Sequence, residues 1–170
     1  MKPIEPPDTF HLSAASGWLD LGNWKEAQAE LDNISPAARA HPRVALARYA
    51  VCARAGQWDS AAEMAAVLLE RYPKDPQMWI NAAYATRRKQ GGGIEQAKDI
   101  LLRARARFPK EAIIAYNLAC YECQLNRVDE ARQWLARAFD NGAPAAIRQL
   151  ALRDEDLKPL WPSLKIRHAA

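Results

Sequence analysis

The chain repeats itself, and that periodicity restricts the possible folds more than any other feature of its 170 residues. Four segments align: Gly22-Asn23-Trp24-Lys25-Glu26-Ala27, Gly56-Gln57-Trp58-Asp59-Ser60-Ala61, Gly92-Gly93-Ile94-Glu95-Gln96-Ala97 and Asn126-Arg127-Val128-Asp129-Glu130-Ala131. Their alanines lie 34, 36 and 34 residues apart. A period of this length is one supersecondary unit, too small to bury its own apolar face, that must stack on copies of itself. Four and seven residues beyond each alanine stand Leu31 and Ile34, Ala65 and Leu68, Leu101 and Ala104, and Leu135 and Ala138. That spacing makes one apolar helical stripe per repeat. Pro73 and Pro109 follow Ala61 and Ala97 at the same offset, and a proline there ends a helix.

A second amphipathic stretch precedes each turn, near residues 9–21, 42–55, 76–90 and 111–125, so each unit is predicted to be helix, tight turn, helix. Gly22, Gly56, Gly92 and Asn126 are the residue types that accept the left-handed conformation ending a first helix. The bulky residue two positions later covers the turn. The alanine three beyond that lets the two backbones come close.

This pattern resembles the tetratricopeptide repeat (TPR) family, with Tyr116-Asn117-Leu118-Ala119, Asn126, Ala131, Leu135 and Ala138 carrying the best match and Trp79 with Ala82 and Ala83 supporting the third unit. The resemblance implies an all-α, right-handed α-solenoid of four TPR-like helix-turn-helix repeats with a C-terminal capping helix. It implies a single domain over residues 1–170, with repeats at about 8–41, 42–75, 76–111 and 112–142 and a cap at 143–170. Three departures stand out: Arg48-Tyr49 in the second repeat, a two-residue insertion around Gln90-Gly91-Gly92-Gly93 in the third, and no closing proline in the first, whose second helix should stop early. Solenoid ends need covering. Ala145, Ala146, Leu150 and Leu152 are expected to lie on the fourth unit. The Asp154-to-Trp161 segment, through Leu157, Leu160 and Trp161, should pack back onto the cap.

Apolar residues at 49% and charged residues at 26% exclude collagen-like and low-complexity disordered classes. Charges interrupt every long apolar run, so no membrane span is expected, and the first eight residues lack the apolar stretch of a signal peptide. Three cysteines cannot form a closed disulfide framework. The expected compartment is therefore the cytoplasm. Net charge is +4 and uneven: residues 1–75 carry 8 Lys/Arg against 10 Asp/Glu, residues 76–170 carry 16 against 10. A basic second half could attract acidic partners or nucleic acid.

Signals for chemistry are sparse. His11, His41 and His168 are far apart, and neither an HExxH nor a GxSxG motif occurs. Gly91-Gly92-Gly93 precedes a helix but lacks phosphate-loop spacing, so it reads as an inter-helix loop. Cys120-Tyr121-Glu122-Cys123 places two thiols on one helix face without a second ligand pair, so packing is favoured over metal or redox work. Trp24, Trp58, Trp79 and Trp161 have places in turn, repeat and cap. Trp18 and Trp134 are expected to pack. No enzyme, cofactor or metal is expected.

A solenoid presents ligands to its concave face, lined by the first helices of its repeats. Laying the family pattern on this chain puts Leu12, Leu46, Arg54, Ile80, Tyr84, Arg87, Tyr116 and Cys120 there, with Ser16, Arg43, Ala50, Gln77, Arg88, Ile113 and Cys123 among their neighbours. Related arrays that clamp acidic chaperone tails use lysine and asparagine at the places held here by Leu12 and Ser16, so that activity is not expected. The expectation is a non-catalytic adaptor binding a protein or peptide partner with an acidic or apolar segment. The alternatives are a secretion-type chaperone, or a nucleic-acid-associated scaffold using basic residues such as Arg103, Arg105, Arg107 and Lys110. Membrane binding is not expected, and nucleic acid is the weaker prospect.

Overall fold

Polar side chains and prolines open several of the helices. In the computed structural model, which describes residues 3–166, α1 (Asp8–Asp20) and α2 (Trp24–Asp32) are followed by α3 (Pro42–Arg54), α4 (Trp58–Arg71) and α5 (Pro76–Arg88). His41 and Asp75 cap α3 and α5 by accepting from Arg43 N and Gln77 N, each with proline in the first turn where its missing N–H costs nothing. Asn23 caps α2 through Glu26 N.

Three turns close alike. Asn23 N donates to Trp18 O at 2.8 Å, Gln57 N to Cys52 O at 2.9 Å and Arg127 N to Glu122 O at 2.8 Å. Each bond spans a left-handed residue: Gly22, Gly56 and Asn126. This is the glycine-type helix stop in which the orphan carbonyls of the last turn find donors. The turn of the third repeat departs from expectation, because its left-handed residue is Gly91 (φ 67°) and not Gly92. The extra residues explain the shift: Lys89 already leaves the helix in extended conformation, and Gln90 N is caught by Asp59 Oδ1 at 3.0 Å.

Contacts divide the chain into two compact units, Met1–Gly91 and Gly92–Ala170. In the first, α1 packs on α2 and α3, α2 on α3, and α4 on both α3 and α5. Leu12, Ala15, Ala27, Leu31, Ile34, Val44 and Val51 form a shared core. Ala27 and Ala61 are fully buried where the helices cross. Buried Asp8 ties the start of α1 to the end of α2, accepting from Ser35 N at 2.8 Å and Ser35 Oγ at 2.6 Å. Those two bonds favour the carboxylate and lower the pKa of Asp8.

The second unit contains α6 (Ile94–Arg107), α7 (Ala112–Gln124), α8 (Val128–Asn141), α9 (Pro144–Ala151), a 3₁₀ helix (Glu155–Leu160) and α10 (Trp161–Ile166). Helix α7 packs against α6, α8 and the 3₁₀ helix. Nine of its thirteen residues are buried, and its sequence is correspondingly apolar on all sides. One of the nine is Glu122, paired with Lys98 of α6 at 3.0 Å and with Arg127 at 3.7 Å. Burial of that charge is tolerated because opposite charges come from both flanking segments.

The cap is built differently from the expected pattern. Ala145, Ala146 and Leu150 of α9 are exposed and Leu152 is half-buried, whereas Ile147 and Ala151 are buried. With Pro144 fixing the start of the helix, the pair four apart that faces α8 is Ile147 and Ala151. Leu157 and Leu160 are buried, but the 3₁₀ helix that carries them packs mainly on α7 and α8 and not on α9 as expected; Trp161 does reach α9, its Nε1 donating to Ala151 O at 2.8 Å. His168 and the last residues of the expected cap lie outside the described residues.

Candidate functional site

In the first unit, side chains of α1, α3 and α5 leave two adjoining depressions. One, about 400 Å³, is lined by Leu12, Ser13, Ser16, Leu19, Arg43, Leu46, Ala47 and Ala50. The other, about 320 Å³, is lined by Tyr49, Ala50, Ala53, Arg54, Trp58, Gln77, Ile80, Asn81 and Tyr84. Ala50 belongs to both, so they form one trough with α3 as its floor. Its lining contains two arginines and no Asp or Glu. Neither Arg43 nor Arg54 has an ion-pair partner among the described residues.

The end beside α5 is organised by aromatic side chains. Tyr84 is 39% exposed, and its ring meets that of Trp58 edge to face at 5.7 Å. The Arg88 guanidinium lies 3.6 Å from the Tyr84 ring centroid and 5.3 Å from that of Trp58, while its Nη1 donates to Tyr84 O. A cation held over these faces preorganises both rings. Tyr49 reaches across from α3, its hydroxyl donating to Asn81 O at 3.2 Å, and Gln77 Nε2 donates to Asn81 Oδ1. In the sequence Tyr49 stands out only as a departure from the repeat, and Trp58 only as a turn residue. Both line the trough, because α3 and α4 deliver them to α5.

Of the eight residues singled out by the repeat pattern, the trough brings together Leu12, Leu46, Arg54, Ile80 and Tyr84. Leu12 is buried and lends only an edge. Arg87 is half-buried and engaged in its own contacts. Tyr116 and Cys120 sit in the second unit and are buried. There the Asp154 carboxylate accepts from Tyr116 Oη at 2.8 Å and from Cys120 Sγ at 3.5 Å. Burial and the neighbouring carboxylate together push the titrations of Tyr116 and Cys120 strongly upward, and burial moves that of Cys123 up to about 11. Such thiols are protonated at neutral pH and poor nucleophiles. All three cysteines are free, and among the described residues no cluster of His, Cys, Asp or Glu is arranged to hold a metal ion. Trp18 is partly exposed, and Trp134 is covered by the Arg137 guanidinium 4.3 Å from its ring.

Helix pairs joined by glycine or asparagine turns, with alanines at the crossings, define an all-α solenoid of the tetratricopeptide type. Solved structures of that class superpose on the chain. A thermophilic TPR protein of Thermus thermophilus matches with a TM-score of 0.73 at 18% identity, covering 92% of this chain and 82% of the other. MamA, from residue 41 to its end, of Desulfovibrio magneticus RS-1 gives 0.66 at 14% identity, covering 78% and 74%. No family model matches the sequence, and no curated protein is significantly similar to it. Among the described residues no helix is long and apolar enough to cross a membrane.

Proposed function

We propose that this chain is a non-catalytic, cytoplasmic protein-interaction module whose repeats and cap act as one domain. Its trough over α1, α3 and α5 binds an apolar or amphipathic peptide segment with acidic flanks. The carrying observation is the lining itself: apolar side chains, an ordered aromatic end, and Arg43 and Arg54 without acidic partners among the described residues. Buried aromatic anchors supply most of the energy of such interfaces, while rim charges steer approach and reject like-charged competitors. The secretion-type chaperone is a special case of this reading, differing only in the partner's fate.

The test is a partner cross-linked to the chain in its own cell, then titrated against purified variants. Tyr84→Ala is expected to weaken binding about tenfold or more, as loss of an aromatic anchor does. Arg54→Glu is expected to weaken it further and to flatten its salt dependence. If those variants bind like the parent while Arg103→Glu or Arg107→Glu abolishes binding, the trough is the wrong surface and the basic-scaffold alternative takes its place.

A further inference from the structure

The second unit shows what an inner helix of this protein holds when a segment lies on it. Helices α5 and α7 are both thirteen residues long, and an offset of 36 aligns Ile80 with Tyr116 and Tyr84 with Cys120. On α7 this pair receives the Asp154 carboxylate, with the phenol as main donor. Asp154 also caps the 3₁₀ helix by accepting from Asp156 N, which fixes the direction of the segment beyond it. Leu157 and Leu160, three and six residues on, are then fully buried. A side-chain carboxylate on a donor and two leucines on one face of a short helical turn thus make one recognition element.

On α5 the same two positions are open. Ile80 and Tyr84 line the trough, and the donor beside them is the exposed guanidinium of Arg54. A guanidinium binds a carboxylate more strongly than a neutral phenol does, because the hydrogen bond is charge-assisted. With no Asp or Glu in the lining, an acidic segment meets no like charge there.

We propose that the first unit's trough takes from a partner protein what α7, with α8 beside it, already holds from its own chain: a short segment in which an aspartate is followed, three and six residues later, by leucines. This inference rests on the trough being a peptide site, and adds the ligand's chemistry. The recognised carboxylate is a side chain inside the segment, so a chain terminus is not required. Because α7 is occupied, Tyr116 and Cys120 take no part in capture.

The probe is a blocked, fluorescein-labelled peptide of residues 154–162 of this chain, titrated by anisotropy into the full-length protein. Saturable binding is expected, weakened about tenfold or more by Tyr84→Ala or Arg54→Glu and unchanged by Tyr116→Phe. Arg54 is exposed and its variant keeps the parent's melting transition, whereas Tyr84→Ala also loses the Trp58 and Arg88 contacts, so a lowered transition there is answered by resting the test on Arg54→Glu and Arg54→Gln. Failure of the peptide to bind the parent, or loss of binding through Tyr116→Phe alone, overturns the proposal, the latter because the peptide would then be exchanging with the tail on α7. A control peptide with Asp154→Lys, Glu155→Lys and Asp156→Lys separates the two readings. If it binds equally and still depends on Arg54 and Tyr84, the acidic ligand class is wrong while the trough stands as a peptide site. If a cross-linked native partner ignores both trough variants, the trough itself is not the site.

Discussion

Helices α5 and α7 hold the same register in consecutive repeats, yet one shows its inner side chains and the other hides them. In α7 that face is closed by the chain's own acidic, leucine-bearing segment, with Tyr116 bonded to Asp154 and Leu157 fully buried. In α5 the equivalent Ile80 and Tyr84 border an open trough beside Arg54. Equal position in a repeat therefore does not give equal accessibility. The segment C-terminal to a repeat decides which face is spent on stability and which is left for a ligand.

The comparison breaks most visibly at Leu157. Truncation to alanine leaves a cavity in a fully buried site, and Leu157→Ala is expected to destabilise the second unit by about 3 kcal/mol, measured by urea unfolding. Binding at the trough should be unaffected at denaturant concentrations where the protein stays folded. A loss below about 1 kcal/mol would mean that the segment does not close α7 in solution.

Gly142→Ala is next. An added Cβ would stand 2.6 Å from Ile147 Cδ1 and 2.9 Å from Ala112 Cβ, so a cost of about 2 kcal/mol is expected from overpacking where α8 turns into α9. The backbone conformation there is extended and suits any residue, so the effect is steric, and the costs of Gly142→Ala and Ile147→Ala combined in one chain should be less than additive.

Tyr116→Phe removes one hydrogen bond from Asp154 and is expected to cost about 1 kcal/mol. Its sharper readout is thiol labelling, since Cys120 shares that carboxylate and lies beneath the same segment. Labelling of Cys120 and Cys123 should accelerate in this variant, while that of Cys52 is unchanged.

The same thiols set a pH dependence. Burial raises the pKa of Cys123 to about 11, so the folded state binds its proton more tightly than the unfolded state does. The resulting stability is complete below the unfolded thiol's value of 9.0 and is lost as pH rises towards about 11. Melting temperatures between pH 9 and 11 should fall, and should fall less for Cys123→Ser.

The smallest expected effect lies on the open side: Arg54→Glu should change unfolding free energy by no more than about 0.5 kcal/mol, because the side chain is exposed and has no ion-pair partner among the described residues. A larger change would show that Arg54 is structural and weaken its assignment to ligand capture.

The helices themselves were legible in the sequence. Gly22, Gly56 and Asn126 lie at a fixed distance before a buried alanine, and backbone geometry allows few alternatives at a left-handed helix stop. Where two extra residues blur that distance, the stop moved by one, to Gly91. Periodicity also yielded the inner-face residues Leu46, Ile80 and Tyr84, because a regular helix fixes direction from spacing alone. It could not reveal that Tyr49 and Trp58 join them, since that depends on which helices pack together. Nor could it foresee that Ile147 and Ala151, rather than Ala145, Ala146 and Leu150, would face α8. Most of all, the sequence marked Ile80 and Tyr116 as equivalents. Only the tertiary structure separated them, because burial is a property of whatever segment returns to cover a side chain, and that return is a long-range event no local spacing encodes.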